Sequence, residues 1–209
     1  MTRVLVPVAI LGGETVSAGL IDLLGAVDVT VLGYHVLPEQ TPPDQARAQF
    51  EERATDALED LVAEFERAGA DADHRLVFTR ERRKTIDRLA TETDSLAYAI
   101  SGATGEIDDL LVILSGDVDT GRVGDFVTGL VDGRAIRVTL LAAGADDDRL
   151  DTASKSLEAD GIETTVAPAD GDPFDALIEA APGHDAVVMG ERAPSLRSLL
   201  FGECTQRVA

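Results

Sequence analysis

Short apolar runs alternate with amphipathic stretches along the whole chain, and the order of these segments occurs twice. The strand-like runs are continuous and rich in valine, leucine and isoleucine, which is typical of strands buried on both faces. The matching segments are Val4–Val8, Gly19–Gly25 and Val27–Tyr34 in the first half, and Leu110–Leu114, Phe126–Gly133 and Ile136–Gly144 in the second. Corresponding segments lie about a hundred residues apart, which predicts a duplicated structural unit.

The complete pattern predicts strands and helices in alternation. The predicted strands are Arg3–Ile10, Val27–Leu37, Leu76–Thr79, Leu96–Ile100, Leu110–Leu114, Ile136–Ala142, Ile162–Val166 and Ala186–Met189. The predicted helices are Glu14–Leu24, Asp44–Ala68, Arg82–Thr91, Gly121–Val131, Arg149–Ala159, one that Asp172 caps with Pro173 in its first turn, and Ser195–Val208. The helix Asp44–Ala68 has an apolar face and a strongly acidic opposite face.

Alternating strands and helices at this spacing predict right-handed crossovers and parallel sheets covered by helices. We therefore predict an α/β fold of two tandem Rossmann-like units, 1–105 and 106–209, joined at the small residues of 102–105. In such sheets ligands bind beyond the carboxyl ends of the strands, where the strand order reverses. The loops after Val8, Leu114 and Met189 are the corresponding positions.

The charge balance is strongly acidic, with a net charge of −21 from 39 acidic and 18 basic residues. The carboxylates occur in both halves, and Lys84 and Lys155 are the only lysines. This composition predicts adaptation to concentrated salt, in which charge repulsion is screened over about 3 Å at 1 M. It argues against nucleic-acid binding, which requires a basic face. The densest basic run, Arg80–Arg83, is interpreted as the start of a helix with a solvated face.

Other candidate sites have simple structural interpretations. His35, His74 and His184 share no metal-ligand spacing, so we expect surface or capping roles. Cys204 has no nearby histidine and is interpreted as a structural thiol, and Asp146–Asp148 as a solvated loop that lacks the glycine and glutamate of a calcium loop. Asp117 and Asp119 follow Leu114 at a position where ligands bind. The chain has no apolar run of about 20 residues and no signal-peptide pattern, so we expect a cytoplasmic protein.

One segment has the shape of a phosphate loop. Gly190-Glu-Arg-Ala-Pro-Ser195 follows a buried strand and leads into a helix that contains Gly202. A glycine there lets the backbone approach a ligand, Ser195 supplies a hydroxyl, and the helix start presents free N–H groups to an anion. The first half has no equivalent of residues 190–209, so we predict the ligand site in the second half.

The segment DAVVMGERAPSLRSLLFGECTQRVA, residues 185–209, resembles the last strand, loop and helix of universal stress protein (UspA) domains. VLVPV at Val4–Val8, the following glycine pair and His35-Val36 fit the first two strands of the same family. The resemblance covers the chain as a tandem pair, and the acidic composition is similar to that of haloarchaeal members. It implies the adenine nucleotide alpha hydrolase-like fold with strand order 3-2-1-4-5, a stress-response or regulatory role without catalysis, and ATP binding in one subgroup.

That subgroup has a Gly-x-x-Gly loop, nine residues and then Gly-Ser/Thr. Gly190 and Gly202 match this motif, Ala193 replaces its second glycine, the spacer is one residue short, and Glu203 stands where a hydroxyl would meet phosphate. A carboxylate near a triphosphate repels it, which Arg192, Arg197 or a cation such as Mg²⁺ could offset. If a nucleotide binds, we expect it in the second half, at Ser115, Gly116, Asp117, Gly190, Arg192, Ser195, Gly202 and Thr205. The departures from the motif favour AMP, weakly held ATP or no nucleotide over tight ATP binding. The acidic residue that ends the family's first strand is replaced by Ala9.

Three classes of function stay open at this point. The first is a non-catalytic regulatory protein, and the second is a soluble partner of a membrane transporter, or a protein that associates with itself. The third is a nucleotide-hydrolysing enzyme. The sequence argues against this class because the candidate loops contain no Walker lysine and no histidine–aspartate pair. Family members also continue into a strand that pairs across a dimer, whereas this sequence ends at Ala209 after the predicted last helix.

Overall fold

The computed structural model describes residues 3–38, 40–95, 97–98, 105–115, 119–143, 147–168, 176 and 179–189. The chain divides into two compact units, Met1–Gly102 and Ala103–Ala209. Each unit contains a four-stranded sheet in which all described strand pairs are parallel. The predicted α/β class, with parallel sheets flanked by helices, is thereby confirmed.

The first unit alternates strands and helices from its first described residue. Its elements are β1 (Arg3–Val8), α1 (Ala18–Leu24), β2 (Asp28–Val36), α2 (Pro43–Ala68), β3 (Asp71–Thr79), α3 (Arg82–Glu92) and β4 (Ala97–Tyr98). The sheet order is β3-β2-β1-β4, so β1 lies in the interior of the sheet. The register begins with Arg3 opposite Asp28 and continues to Val8 opposite Gly33.

The core of the first unit forms where α2 packs on β2 and β3. Helix α2 buries Ala46, Ala54, Leu58 and Phe65, which lie on one stripe of the helix. Gly33 in β2 permits this packing, because a Cβ atom there would lie 2.6 Å from Cδ1 of Leu58. The opposite side of α2 exposes seven carboxylates between residues 51 and 66.

Two glycine turns of the first unit lie close together, at the ends of α1 and α2. A Cβ on Gly25, which ends α1, would overlap the carbonyl oxygen of Ala68 at the end of α2. Gly69 follows with φ of 108°, in the left-handed region that favours glycine. The ends of α1 and α2 can therefore approach each other only because Gly25 has no side chain.

The second unit has the same alternation. Its elements are β5 (Asp109–Ser115), α4 (Thr120–Val131), β6 (Arg137–Ala143), α5 (Asp147–Ala159), β7 (Thr164–Pro168) and β8 (Ala186–Met189). The sheet order is β7-β6-β5-β8, and β5 is the strand between β6 and β8. Leu110–Leu114 is fully buried, as expected for an interior parallel strand.

Several predicted boundaries are wrong near the first loop. The predicted strand Arg3–Ile10 ends at Val8, because Ala9 starts a turn in which its carbonyl accepts a hydrogen bond from Gly12 N at 2.7 Å. The predicted helix start at Glu14 is also wrong. Helix α1 begins at Ala18, because the Ser17 hydroxyl caps it by accepting from Leu20 N at 3.3 Å.

Polar residues caused two further errors. Strand β3 begins at Asp71 rather than Leu76, because it is an outer strand of the described sheet, paired with β2 alone, and it therefore tolerates polar side chains. The segment Asp146–Asp148 is not simply a loop, since Asp147 and Asp148 form the start of α5. Acidic residues are favourable in the first turn of a helix because the amino end of the helix carries a partial positive charge. Most of the helix predicted after Asp172, and all of Ser195–Val208, lie outside the described residues.

Candidate functional site

The predicted ligand site lies at the carboxyl ends of β5 and β8. These strands are parallel neighbours, with Ile113 opposite Met189, so the segments that follow them leave the same edge of the sheet. Ser115 is the last residue of β5 and pairs with Ala143 of β6. The other predicted site residues lie outside the described part of the chain: Gly116, Asp117, Gly190, Arg192, Ser195, Gly202 and Thr205. Their contacts therefore remain predictions.

The order in which the chain adds strands to the sheet reverses between β5 and β8, beside the predicted site. From β5 the chain passes to β6 and β7 on one side, and it then returns to β8 on the other side. In open parallel sheets, the crevice beyond such a pair of strands is the usual ligand position. The described strands thus satisfy the topological condition for the predicted site.

Asp119, one of the two aspartates singled out after Leu114, is a helix cap. Its carboxylate accepts hydrogen bonds from Gly121 N at 3.1 Å and Arg122 N at 3.2 Å, at the start of α4. Aspartate is a preferred residue at this position, so the sequence contained the signal for the cap. The Asp119 carboxylate is engaged by the helix and faces its first turn.

At the amino ends of the same two strands, Asp185 links the start of β8 to the start of β5 by hydrogen bonds. Its Oδ2 accepts from the backbone N–H groups of Asp108 and Asp109, both at 3.0 Å, and its own N–H donates to the Asp109 carbonyl at 2.9 Å. These bonds fix β8 against β5. The register at the carboxyl ends, where the predicted site lies, is set in this way.

Asp109 also holds β5 against β6. The Arg137 guanidinium donates from Nε to Oδ1 at 2.7 Å and from Nη2 to Oδ2 at 2.5 Å, a bidentate pair. These hydrogen bonds lower the pKa of the Asp109 carboxyl and raise the pKa of Arg137. The strand that would carry Ser115 to the site is therefore anchored to both neighbours at its start.

The corresponding loop of the first unit contains a carboxylate that the sequence interpretation missed. The Ala9 N–H, directly after β1, donates to Oε2 of Glu14 at 2.6 Å. Glu14 also interacts with the buried phenol of Tyr34, and the Arg82 guanidinium lies 4.9 Å from the centre of the Tyr34 ring. Burial raises the pKa of Tyr34, the Arg82 charge opposes this, and the Glu14 carboxylate adds to it. The chain itself thus places an acid beside the end of β1, although Ala9 is not acidic.

A second feature of the first unit is an open cleft of about 720 Å³ where β3 meets α3. Three cationic side chains and three apolar ones are among its lining residues: Arg80, Lys84, Arg88, Leu37, Pro43 and Phe78. The helix predicted after Arg80-Glu81 begins at Arg82, and Arg80 and Arg83 are exposed, as the interpretation of a solvated face expects. Of the run Arg80–Arg83, Arg80 and Glu81 also line the cleft.

Within the described residues, no group of three or more histidine, cysteine, aspartate or glutamate side chains could hold a metal ion. His35 lies between the rings of Phe50 and Phe78, with ring centres 5.8 and 6.1 Å away. His184 Nδ1 lies 2.9 Å from the carbonyl oxygen of Ala180. In the same part of the chain, no helix combines the length and apolar character needed to cross a membrane.

Comparison with known proteins gives a structural match. No protein-family model matches the chain, and no curated protein matches it. Among solved structures, the chain is similar to a universal stress protein from Archaeoglobus fulgidus DSM 4304, with a TM-score of 0.62 and 15% sequence identity. The match covers 99% of this chain and 91% of that chain. The chain therefore has a fold similar to that of a universal stress protein.

Proposed function

We propose that this protein is a regulatory protein of the universal stress protein type, which acts without catalysis through ligand- or partner-dependent conformation. The observation that carries the proposal is the structural similarity to a universal stress protein over 99% of the chain. The family features at Val4–Val8 and in residues 185–209 support it independently, because they were identified from the sequence alone.

We propose further that the second unit binds an adenine nucleotide weakly. The site would comprise Ser115, Gly116, Asp117, Gly190, Arg192, Ser195, Gly202 and Thr205. The pairing of β5 with β8 supports this location, since both loops leave one sheet edge. Ala193 and Glu203 disfavour a triphosphate, so AMP or weakly held ATP fits the sequence better, with Mg²⁺ able to offset the Glu203 charge.

Calorimetric titration of ATP and AMP, with and without Mg²⁺ in about 2 M KCl, tests the nucleotide site. We expect weak binding that Gly190→Asp and Ser195→Ala abolish. The matched controls are Gly183→Asp, which lies before the start of β8 and has open space for a Cβ, and the exposed Ser156→Ala in α5. Silence with both nucleotides, or micromolar ATP binding that survives both site variants, would contradict the proposal. ATP turnover abolished by Gly190→Asp would favour an enzyme instead.

We also propose that the acidic surface is an adaptation to concentrated salt in a cytoplasm rich in KCl. The exposed carboxylates of α2 support this, because they repel one another unless counterions screen them. Thermal unfolding followed by circular dichroism should show a melting temperature that rises from about 0.2 to 3 M KCl, as the Debye length falls to a few Å. A melting temperature independent of KCl would contradict the adaptation.

A further inference from the structure

The region around α3 reverses the charge of the rest of the chain. Residues 80–88, with the sequence RERRKTIDR, contain five of the 18 basic residues and two of the 39 acidic ones. The segment has a net charge of +3 within a chain whose net charge is −21. General surface acidity does not explain such a local concentration of cations.

The cations also stand where a helix favours them least. Arg82, Arg83 and Lys84 occupy the first turn of α3, which contains no acidic residue and has no side-chain cap. Because the amino end of a helix carries a partial positive charge, cations there are unfavourable. Glu81 compensates in part through its 2.5 Å pair with Lys84. Local conflicts of this kind are expected at functional or strained sites, and of the three cations Lys84 lines the cleft.

The cleft at this place has the size and the mixed lining of a small-molecule site. Its volume of about 720 Å³ lies within the range of ligand pockets. Arg80, Lys84 and Arg88 contribute three positive charges to the lining, and Glu81 contributes one negative charge. Leu37 and Phe78 contribute apolar surface. This combination suits a ligand with an anionic group and an apolar portion.

Lys84 and Arg88 are able to turn toward a ligand at low cost, whereas Arg80 is already oriented by the chain. The side chains of Lys84 and Arg88 are 77% and 59% exposed, and their partners Glu81 and Glu92 are exposed as well. Exposed surface ion pairs contribute little to stability, so their exchange for contacts with a ligand costs little. Arg80 donates from Nη2 to the Thr41 carbonyl at 3.2 Å, which orients a guanidinium that has five N–H donors.

Two threonine hydroxyls lie at the same cleft. Oγ1 of Thr79 is 2.7 Å from Oγ1 of Thr85, and Thr79 also accepts from Glu81 N at 3.0 Å. The contact between the hydroxyls uses one of their two hydrogens, so the other can be donated to a ligand oxygen. The backbone that carries Arg80 and Glu81 is held in place by these bonds.

We propose that this cleft of the first unit binds a small organic phosphate. The phosphate would lie among Arg80, Lys84 and Arg88, and the apolar portion against Leu37, Pro43 and Phe78. A phosphate dianion matches several converging cationic donors better than a single carboxylate does. The site is separate from the proposed nucleotide site, whose residues belong to the second unit.

Titration with 1-naphthyl phosphate tests the proposal, at the lowest KCl concentration at which circular dichroism shows the native fold. The double variant Lys84→Gln/Arg88→Gln should weaken binding about tenfold or more. The matched control is Lys155→Gln/Arg47→Gln, because these side chains are 75% and 58% exposed and pair with Asp151 and Glu51. The control should bind like the unaltered protein.

Chemical and salt controls separate the two parts of the ligand. Inorganic phosphate should bind more weakly than the naphthyl ester, neutral 1-naphthol more weakly still, and added KCl should weaken the binding of both phosphates. Gly190→Asp and Ser195→Ala should leave this binding unchanged, which distinguishes its failure from failure of the nucleotide site. Absence of binding at millimolar probe, equal losses in both double variants, or affinity independent of KCl would overturn the proposal.

Discussion

The two units fasten their interior strands with ion pairs of opposite polarity. In the first unit Arg3 at the start of β1 faces Asp28 at the start of β2, whereas in the second Asp109 of β5 faces Arg137 of β6. The position in the sheet is the same, and the charges are exchanged. Both units therefore have an attraction between two strand starts at this position, and comparison by residue type alone would miss the correspondence.

The ion pairs of the two units also differ in the number of carboxylates that the arginine contacts. Arg3 lies 4.0 Å from Asp28 and 3.6 Å from Asp73, so one guanidinium spans three strands loosely. Arg137 gives both of its bonds to Asp109, and Asp185 supplies the link to the third strand. The first unit relies on one shared cation, whereas the second relies on two separate contacts.

Tyrosine fluorescence allows the units to be compared separately in solution. The protein contains two tyrosines and no tryptophan, and both Tyr34 and Tyr98 belong to the first unit. Tyrosine emission therefore follows the first unit, whereas far-ultraviolet circular dichroism follows both.

The largest expected effect comes from truncating one core leucine in each unit. Leu58 in α2 and Leu157 in α5 are almost completely buried, in helices that join equivalent strands. Replacement of either by alanine should lower the free energy of unfolding by about 2–5 kcal/mol through lost burial and a cavity. Urea unfolding should show an earlier tyrosine transition for Leu58→Ala only. An equal shift of the tyrosine transition by Leu157→Ala would mean that the units unfold as one body.

A smaller effect is expected from adding one methyl group at a glycine. Gly25→Ala should destabilise the first unit by about 1–3 kcal/mol, because the new Cβ overlaps the Ala68 carbonyl. Gly124→Ala is the matched control in α4 of the second unit, where the Cβ would have open space. It should stabilise that unit by up to about 1 kcal/mol through helix propensity. Urea midpoints that move in the same direction for both variants would contradict this account.

Alkaline pH should weaken the first unit through Tyr34. The folded state holds the phenol proton more tightly, so this contribution is complete below the ordinary pKa of 10.0 and is lost as pH rises through the folded-state pKa. The urea midpoint of Tyr34→Phe should therefore fall less between about pH 9 and pH 11 than that of the control Tyr98→Phe. Identical pH dependence in the two variants would show that Tyr34 is not involved. In Tyr98→Phe, adding Glu14→Gln should lower the pKa of Tyr34 measured by tyrosinate absorbance.

The smallest effect concerns the exchanged ion pair. Arg137→Asp should lower the urea midpoint of the second unit, followed by circular dichroism, because two carboxylates then face each other. Adding Asp109→Arg should restore most of the midpoint, since the pair then has the same orientation of charges as in the first unit. The native contribution exists above the ordinary aspartate pKa of about 4 and disappears as pH falls through the lowered pKa of Asp109. Lys155→Asp, which reverses the exposed pair with Asp151, is the control and should change the midpoint less. Failure of the double variant to recover would show that the sign of the charges does matter.

The sequence predicted the fold class well because interior parallel strands are continuous apolar runs, of which Leu110–Leu114 is an example. Its errors came from residues whose behaviour depends on distant partners. Asp71 and Asp73 belong to a strand because β2 pairs with them. Glu14 is part of the loop after β1 because its carboxylate accepts a hydrogen bond from the Ala9 N–H. The basic lining of the cleft was missed because helical periodicity does not show which face meets β3. The prediction of a ligand loop at Gly190 is based on the sequence pattern and on the pairing of β5 with β8.

The interior position of β1 sets the order in which the first unit can be completed. β1 precedes the other strands of the first unit in the chain, yet its partner on one side, β4, follows roughly 90 residues later. At a synthesis rate of about 5–20 residues per second, that edge of β1 stays open for about 5 to 18 s. Helix α2, strand β3 and helix α3 are all made during this interval, so β1 keeps one unpaired side until β4 is available.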